Sequence, residues 1–249
     1  MPVPVNLSAS DITATSVRLN WARWTPLQLF LAGVQGVWFD PSDVSTLFQD
    51  AAGTIPVTAD GDPVGKMVDQ SGNGNHAVQT VSGRRPVYRT DGASSLGSDG
   101  VDDLMRTSDF GLSQPCTIVT AFIPRGFSNT FIFDGLGPNN GALFLNASDS
   151  LGANAGKAFY SSQPANIDQW NIATVVFSGA DSIIRLNGVE VQGFPGNLNM
   201  RGLTLLAAGN ISNYNPQNNA GVIVRNDRMS SAEISDAENY LASIVGGTL

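Results

Sequence analysis

The sequence predicts an all-β protein, a jelly-roll β-sandwich closed by one C-terminal α-helix. Three observations carry this. Apolar runs of strand length recur along most of the 249 residues, separated by turns rich in Gly, Asn and Asp. Gly and Pro number 27 and 13, which suits many tight connections and disfavours long helices. Helical spacing dominates only at the end, where Ile234, Ala237, Leu241, Ile244 and Val245 share one face.

Taken in order, residues 1–24 form an N-terminal β-hairpin arm. Val17, Leu19 and Trp21 alternate with Ser16, Arg18 and Asn20, so one face is apolar. Two roles are open to it, packing on the main domain or adding strands to a neighbouring subunit. Residues 25–249 form the sandwich. Thr25 caps a short helical turn with Pro26 at its first position and Leu27, Phe30 and Leu31 on one side. Strands are expected at Val34 to Phe39 and Val64 to Val68, with a short capped helix from Ser42 to Phe48 between them. Leu112 to Ile123, Thr130 to Phe133, Ala142 to Leu145 and Trp170 to Phe177 follow, their cores rich in β-branched and aromatic residues. Ser182 to Leu186 turns through Asn187-Gly188, a two-residue hairpin signal, into Val189 to Val191. Leu203 to Ala207 and Gly221 to Val224 are the last strands. Ser230 and Glu233 stand in capping-box relation, so the helix should span 231–245, with Gly246 as its C-terminal cap.

Composition excludes several functions. The net charge is −8 with 14% charged residues, so a phosphate backbone or an anionic membrane would be repelled. No apolar run is long enough to span a bilayer, so neither nucleic acid nor membrane insertion is expected. One Cys, Cys116, and one His, His76, cannot assemble a disulfide or a thiolate zinc site.

Three polar runs stand out: Asp40-Pro41-Ser42-Asp43, Asp69-Gln70-Ser71-Gly72-Asn73-Gly74-Asn75-His76-Ala77, and Asp99-Gly100-Val101-Asp102-Asp103. With the segments around them they resemble a LamG-like, concanavalin A-type module of tailed-phage virion proteins. The likeness runs from about Trp38 to the C-terminus, and the arm resembles the opening hairpin of a fibronectin type III domain. The resemblance implies a non-enzymatic virion protein made in a host bacterial cytoplasm: a tail tip, baseplate or tail-fibre module contacting a host surface glycan. A capsid decoration protein is the alternative. Other virion proteins would be its partners, and a homo-oligomer, with a trimer favoured, its state.

Candidate sites follow from the residues. Glucanases of this fold carry Glu-x-Asp-x-x-Glu on one strand. Here the only glutamates are Glu190, Glu233 and Glu238, and none builds that pattern. Hydrolysis by that route is therefore not expected, which leaves an aspartate pair as the remaining acid-base option. Asp99, Asp102 and Asp103 are the densest acidic group. They fit a capped turn, a calcium site or, last, acid catalysis. Calcium is the one cofactor envisaged. Asn210 to Asn219 contains no charge and one aromatic, so Tyr214, Asn213, Asn215 and Asn218 have the side-chain vocabulary to hold a neutral sugar. A merely solvated loop would read the same way.

Overall fold

The computed structural model describes residues 24–126 and 130–247. The expected N-terminal hairpin lies outside the described residues, except for Trp24. Among those described are seventeen strands and one α-helix. They begin with β1 (Gly36–Phe39), β2 (Leu47–Phe48), β3 (Lys66–Met67), β4 (Ala77–Val78), β5 (Val87–Arg89) and β6 (Ser95–Asp99). Then come β7 (Met105–Arg106), β8 (Cys116–Pro124), β9 (Phe131–Asp134), β10 (Asn140–Leu145), β11 (Ser150–Ala155) and β12 (Ala158–Pro164). The set closes with β13 (Asn171–Phe177), β14 (Ser182–Leu186), β15 (Val189–Gly193), β16 (Thr204–Leu205), β17 (Pro216–Arg225) and α1 (Ser231–Ile244).

Two antiparallel sheets result. The first runs β15-β14-β13-β8-β17-β6-β5, with β1 also paired to β17. The second runs β12-β11-β10-β9-β16-β7-β4-β3-β2. The inner faces meet over one apolar layer: Phe39, Ile118, Phe122, Val175 and Val222 on one side, Phe133, Leu143, Leu151 and Leu205 on the other. Burying each such side chain stabilises the fold by about 1.5–3 kcal/mol, which makes this layer the main source of stability.

Helix α1 covers the outer face of the first sheet. Ile234, Ala237 and Leu241 pack on Trp38, Val119, Val176 and Ile223. Both halves of the capping box form: Ser230 Oγ accepts from Glu233 N–H, and the Glu233 carboxylate accepts from Ser230 N–H. Under the helix, Glu238 is buried. It accepts from Thr174 Oγ1 at 2.7 Å and from Arg185 Nε and Nη2 at 3.0 Å each.

The second polar run fastens β1. Asp69 Oδ1 accepts from Trp38 N–H at 3.0 Å, and Gln70 N–H donates to the Trp38 carbonyl at 2.9 Å. Ser71 Oγ and the side-chain amides of Asn73 and Asn75 all donate to the Gly36 carbonyl. His76 belongs to the same loop, its Nδ1 accepting from Asp69 N–H.

Several expectations shift. The turn after Pro26 is a 3-10 segment, Pro26–Phe30, and it buries Leu29 and Phe30 while Leu27 and Leu31 stay exposed. Leu29 and Phe30 pack into the cluster under the C-terminal helix, so tertiary contacts rather than a helical face decide which side chains are buried. The helix expected from Ser42 is one 3-10 turn, Val44–Thr46, capped by Asp43. β17 starts at Pro216, so Asn218 and Asn219 are strand residues, not loop residues.

Candidate functional site

β6 and β17 pair antiparallel with Asp99 opposite Pro216 and Gly97 opposite Asn218. This register joins the acidic turn after β6 to the Asn-rich run leading into β17. Asn218 also stands opposite Ile123 on β8, two positions from Ala121 and four from Val119, which face the helix. Strand alternation therefore points Asn218 out on the helix-bearing face of the sheet. On β5, Arg89 pairs with Ser95 and Val87 with Gly97, so these residues share that face.

A cleft of about 430 Å³ opens here. Its floor is Gly97, Ser98 and Asn218; Arg85, Arg89 and Arg125 supply its cations, and Asp91, Asp99 and Asp103 its carboxylates. Gly97 is needed for close approach, because a Cβ there would lie 2.9 Å from Arg89 Cγ. Asn218 is buried and both ends of its amide are used. Nδ2 donates to Ser95 Oγ at 3.1 Å and Oδ1 accepts from Arg125 Nε at 3.2 Å. Arg85 is fixed in the same manner, its Nε donating to the Gln79 carbonyl at 3.3 Å.

The acidic turn forms the rim. An oxygen from each of Asp99, Asp102 and Asp103 lies within 4.8 Å of the others. Asp103 is buried and accepts from Asp99 N–H at 3.0 Å; Asp99 accepts from Val101 N–H at 2.8 Å. Asp102 pairs with Arg84 at 3.3 Å. Gly100, between them, has φ +82°, and a Cβ there would meet Pro216 Cδ at 2.4 Å, so the turn accepts only glycine. Burial pushes the Asp103 carboxyl up to about 6, and the nearby Asp99 and Asp102 charges add to this.

The two groups picked out from the sequence thus meet at one place. Tyr214 is half-buried; that burial holds its hydroxyl above the usual tyrosine range, with the Arg84 and Asp102 charges acting on it in opposite directions. Asn213 is exposed at the tip of the preceding turn with φ +55°. The Asn215 carbonyl accepts from Ser98 Oγ at 2.9 Å. The asparagines are thus split between tip, turn and floor, and they do not form one amide-lined loop. The arginines were not legible as a group, being scattered over positions 85, 89 and 125. Arg85 and Arg89 were within reach, since Arg85, Val87 and Arg89 alternate as one strand face.

Other titratable groups serve the structure. Asp134 is buried, and burial pushes its carboxyl up to about 6 against the pull of N–H donors from Gly135, Asn139, Asn140 and Gly209. Four backbone donors make it a fastener of two turns. Cys116 is buried in the core, which pushes its thiol up to about 12 and removes it from nucleophilic chemistry.

No protein-family model matches the chain, and no curated protein matches it in sequence. Solved structures do share its fold. Trypanosoma rangeli sialidase in complex with sialic acid superposes with a TM-score of 0.57 at 13% identity, over 88% of this chain and 34% of the sialidase. A GH54 α-L-arabinofuranosidase soaked with a cyclic sulfate inhibitor gives a TM-score of 0.61 at 13% identity, covering 89% of this chain and 66% of that one. An arabinofuranosidase complexed with arabinofuranosyl-α-1,2-xylobiose gives 0.60 at 14%, over 89% and 65%. The chain spans about a third of the sialidase's length and two thirds of the arabinofuranosidase's.

These likenesses are of fold, an all-β sandwich shared with proteins named for glycan hydrolysis. They overturn the expectation of a non-enzymatic phage virion component, in the tail or on the capsid. They also overturn the inference that a missing Glu-x-Asp-x-x-Glu pattern marks the chain as a non-enzyme. That pattern is one way for a β-sandwich to present carboxylates, and its absence leaves other arrangements on the same scaffold untouched.

Proposed function

We propose that the protein acts on glycans in the cleft between the β5–β6 arginines and the Asp99–Asp103 turn, cleaving a glycosidic bond with Asp103 as proton donor. The observation that carries this reading is a buried carboxyl, held near 6, on the rim of a polar cleft and beside a second carboxylate. A carboxyl that keeps its proton to about that pH suits general acid catalysis. The oxygens of Asp99 and Asp103 lie within 4.8 Å, nearer the about 5–5.5 Å of retaining glycosidases than the 6.5–9.5 Å of inverting ones. In that geometry Asp99 attacks the anomeric carbon while Asp103 passes its proton to the departing oxygen. A water then releases the sugar, returning its proton to Asp103. The LamG-like character of the polar runs and the hydrolase names of the fold's neighbours support a glycan as the ligand. Tyr214 beside the rim offers a ring face for the apolar side of a sugar.

A second reading has its own observation. Three carboxylates each offering an oxygen within 4.8 Å could hold a calcium ion, with carbonyls and water completing six to eight ligands. Against it, Arg84 and a backbone N–H already engage Asp102 and Asp103.

The test is release of new reducing ends from a panel of plant, bacterial and animal oligosaccharides by the pure protein. Asp103→Asn should lower the rate at least about 100-fold. Activity unchanged by Asp103→Asn removes the acid role. Activity abolished by a chelator and restored by Ca²⁺ favours the second reading.

A further inference from the structure

We propose that the sugar bound in this cleft is acidic, its carboxylate held by the guanidinium groups of Arg85, Arg89 and Arg125. This rests on the glycan reading above and names the class of glycan.

The argument starts from charge. The chain carries −8 overall and only 13 Lys and Arg, yet three arginines line one cleft. A neutral sugar needs none of them, since hydroxyls are served by amides and carboxylates. Guanidinium groups match a planar carboxylate with parallel N–H donors, which distinguishes them from lysine and from neutral amides. Both lysines, Lys66 and Lys157, lie outside the cleft.

The arginines are also held ready. Arg125 is tethered through Nε to the buried Asn218, and Arg85 through Nε to the Gln79 carbonyl. Tethering at Nε leaves the terminal nitrogens of both, which no described residue takes, for a ligand. Arg89 lies over Gly97, and its one ion pair among the described residues, Nη1 to Asp60 at 3.7 Å, is long and exposed. All three guanidinium groups line the one cleft, around a floor that includes Gly97 and Asn218. Asp91, Asp99 and Asp103 share the cleft, so a ligand with one carboxylate and many hydroxyls finds cations and acceptors together. A polyanion would meet the carboxylates as well as the arginines.

The experiment is a glycan array in which each uronate- or other carboxylate-bearing glycan is printed beside its carboxyl-reduced counterpart. It is probed with the full chain as Asp103→Asn, so that nothing is turned over. Binding should favour the acidic member of at least one pair by 10-fold or more. Arg85→Gln and Arg89→Gln together should erase that preference, with thermal melting changed little because both side chains are only half-buried. Equal binding within every pair, or binding only to neutral glycans, overturns the carboxylate assignment and leaves the glycan reading standing. Binding to no glycan at all overturns that reading beneath it. A preference that survives Arg85→Gln/Arg89→Gln places the carboxylate elsewhere and overturns the assignment to these residues.

Discussion

Asn218 and Arg125, 93 residues apart in the chain, meet through a 3.2 Å hydrogen bond that fixes a guanidinium at the floor of the cleft. The amide is buried and its other end donates to Ser95. Asn218 lines the cleft floor, yet with both ends of its amide engaged it acts by positioning Arg125.

Replacing it tests that role. Asn218→Leu leaves Ser95 Oγ and Arg125 Nε without their shared partner and should cost about 1–3 kcal/mol in urea unfolding. Glycan affinity should fall further than stability alone accounts for, because Arg125 loses its tether. A variant with normal affinity would show that the arginine positions itself.

The raised carboxyl of Asp103 sets a pH dependence. In the unfolded chain it titrates at 3.8, in the fold at about 6. The folded state then binds more protons between these values, so this group makes stability decline as pH rises from about 4 to 6. Asp103→Asn removes that decline, so the urea midpoint of the variant should gain on the parent at pH 7 and not at pH 3. Asp134 contributes a decline of the same sign, which the variant retains. Cleavage should fall as pH passes about 6, following the proton on Asp103.

Gly100 is a backbone requirement. Its φ of +82° and the 2.4 Å approach to Pro216 predict that Gly100→Ala costs about 1–3 kcal/mol and displaces the acidic turn. Gly97→Ala differs: the clash is with an Arg89 methylene, so the fold should hold while ligand affinity drops. Comparable melting losses for both would contradict this contrast.

Under the helix, Glu238 joins Thr174 and Arg185 across the sheet. Glu238→Ala leaves the partly buried Arg185 with the exposed Glu190, at 3.4 Å, as its remaining carboxylate partner, and should destabilise by about 2–4 kcal/mol, with α1 the first element to lose amide protection. Loss of protection spread evenly over the sheets would mean that the helix is held by its apolar face alone.

Sandwich and helix were legible because their signals are local. Asn187-Gly188 dictates a hairpin, Ser230 and Glu233 dictate a helix start, and Thr117 to Ile123 can only be a strand. Short strands such as β4 and β7 leave no such mark, being two residues long and fixed by partners far along the chain. The cleft was half legible. Tyr214, Asn218 and the aspartates stood out in composition, but their convergence depends on the β6–β17 register, which no local pattern encodes. The arginines were hidden by the average, since a chain of net charge −8 gives no hint that three of its cations meet.

The loop that grips β1 has one more effect. β1 pairs with β17 along one side only, and the polar groups of its other side belong to Gly36 and Trp38. Asp69, Gln70, Ser71, Asn73 and Asn75 take those groups with side chains and one amide N–H, standing in for a strand that is not there. An open strand edge is a template on which a second molecule can add its own. Side chains that occupy it cannot propagate the ladder, so the border of the sheet ends in a seal. Asp69→Ala should unseal it, and the first symptom would be self-association at high concentration, ahead of any loss of the sandwich itself.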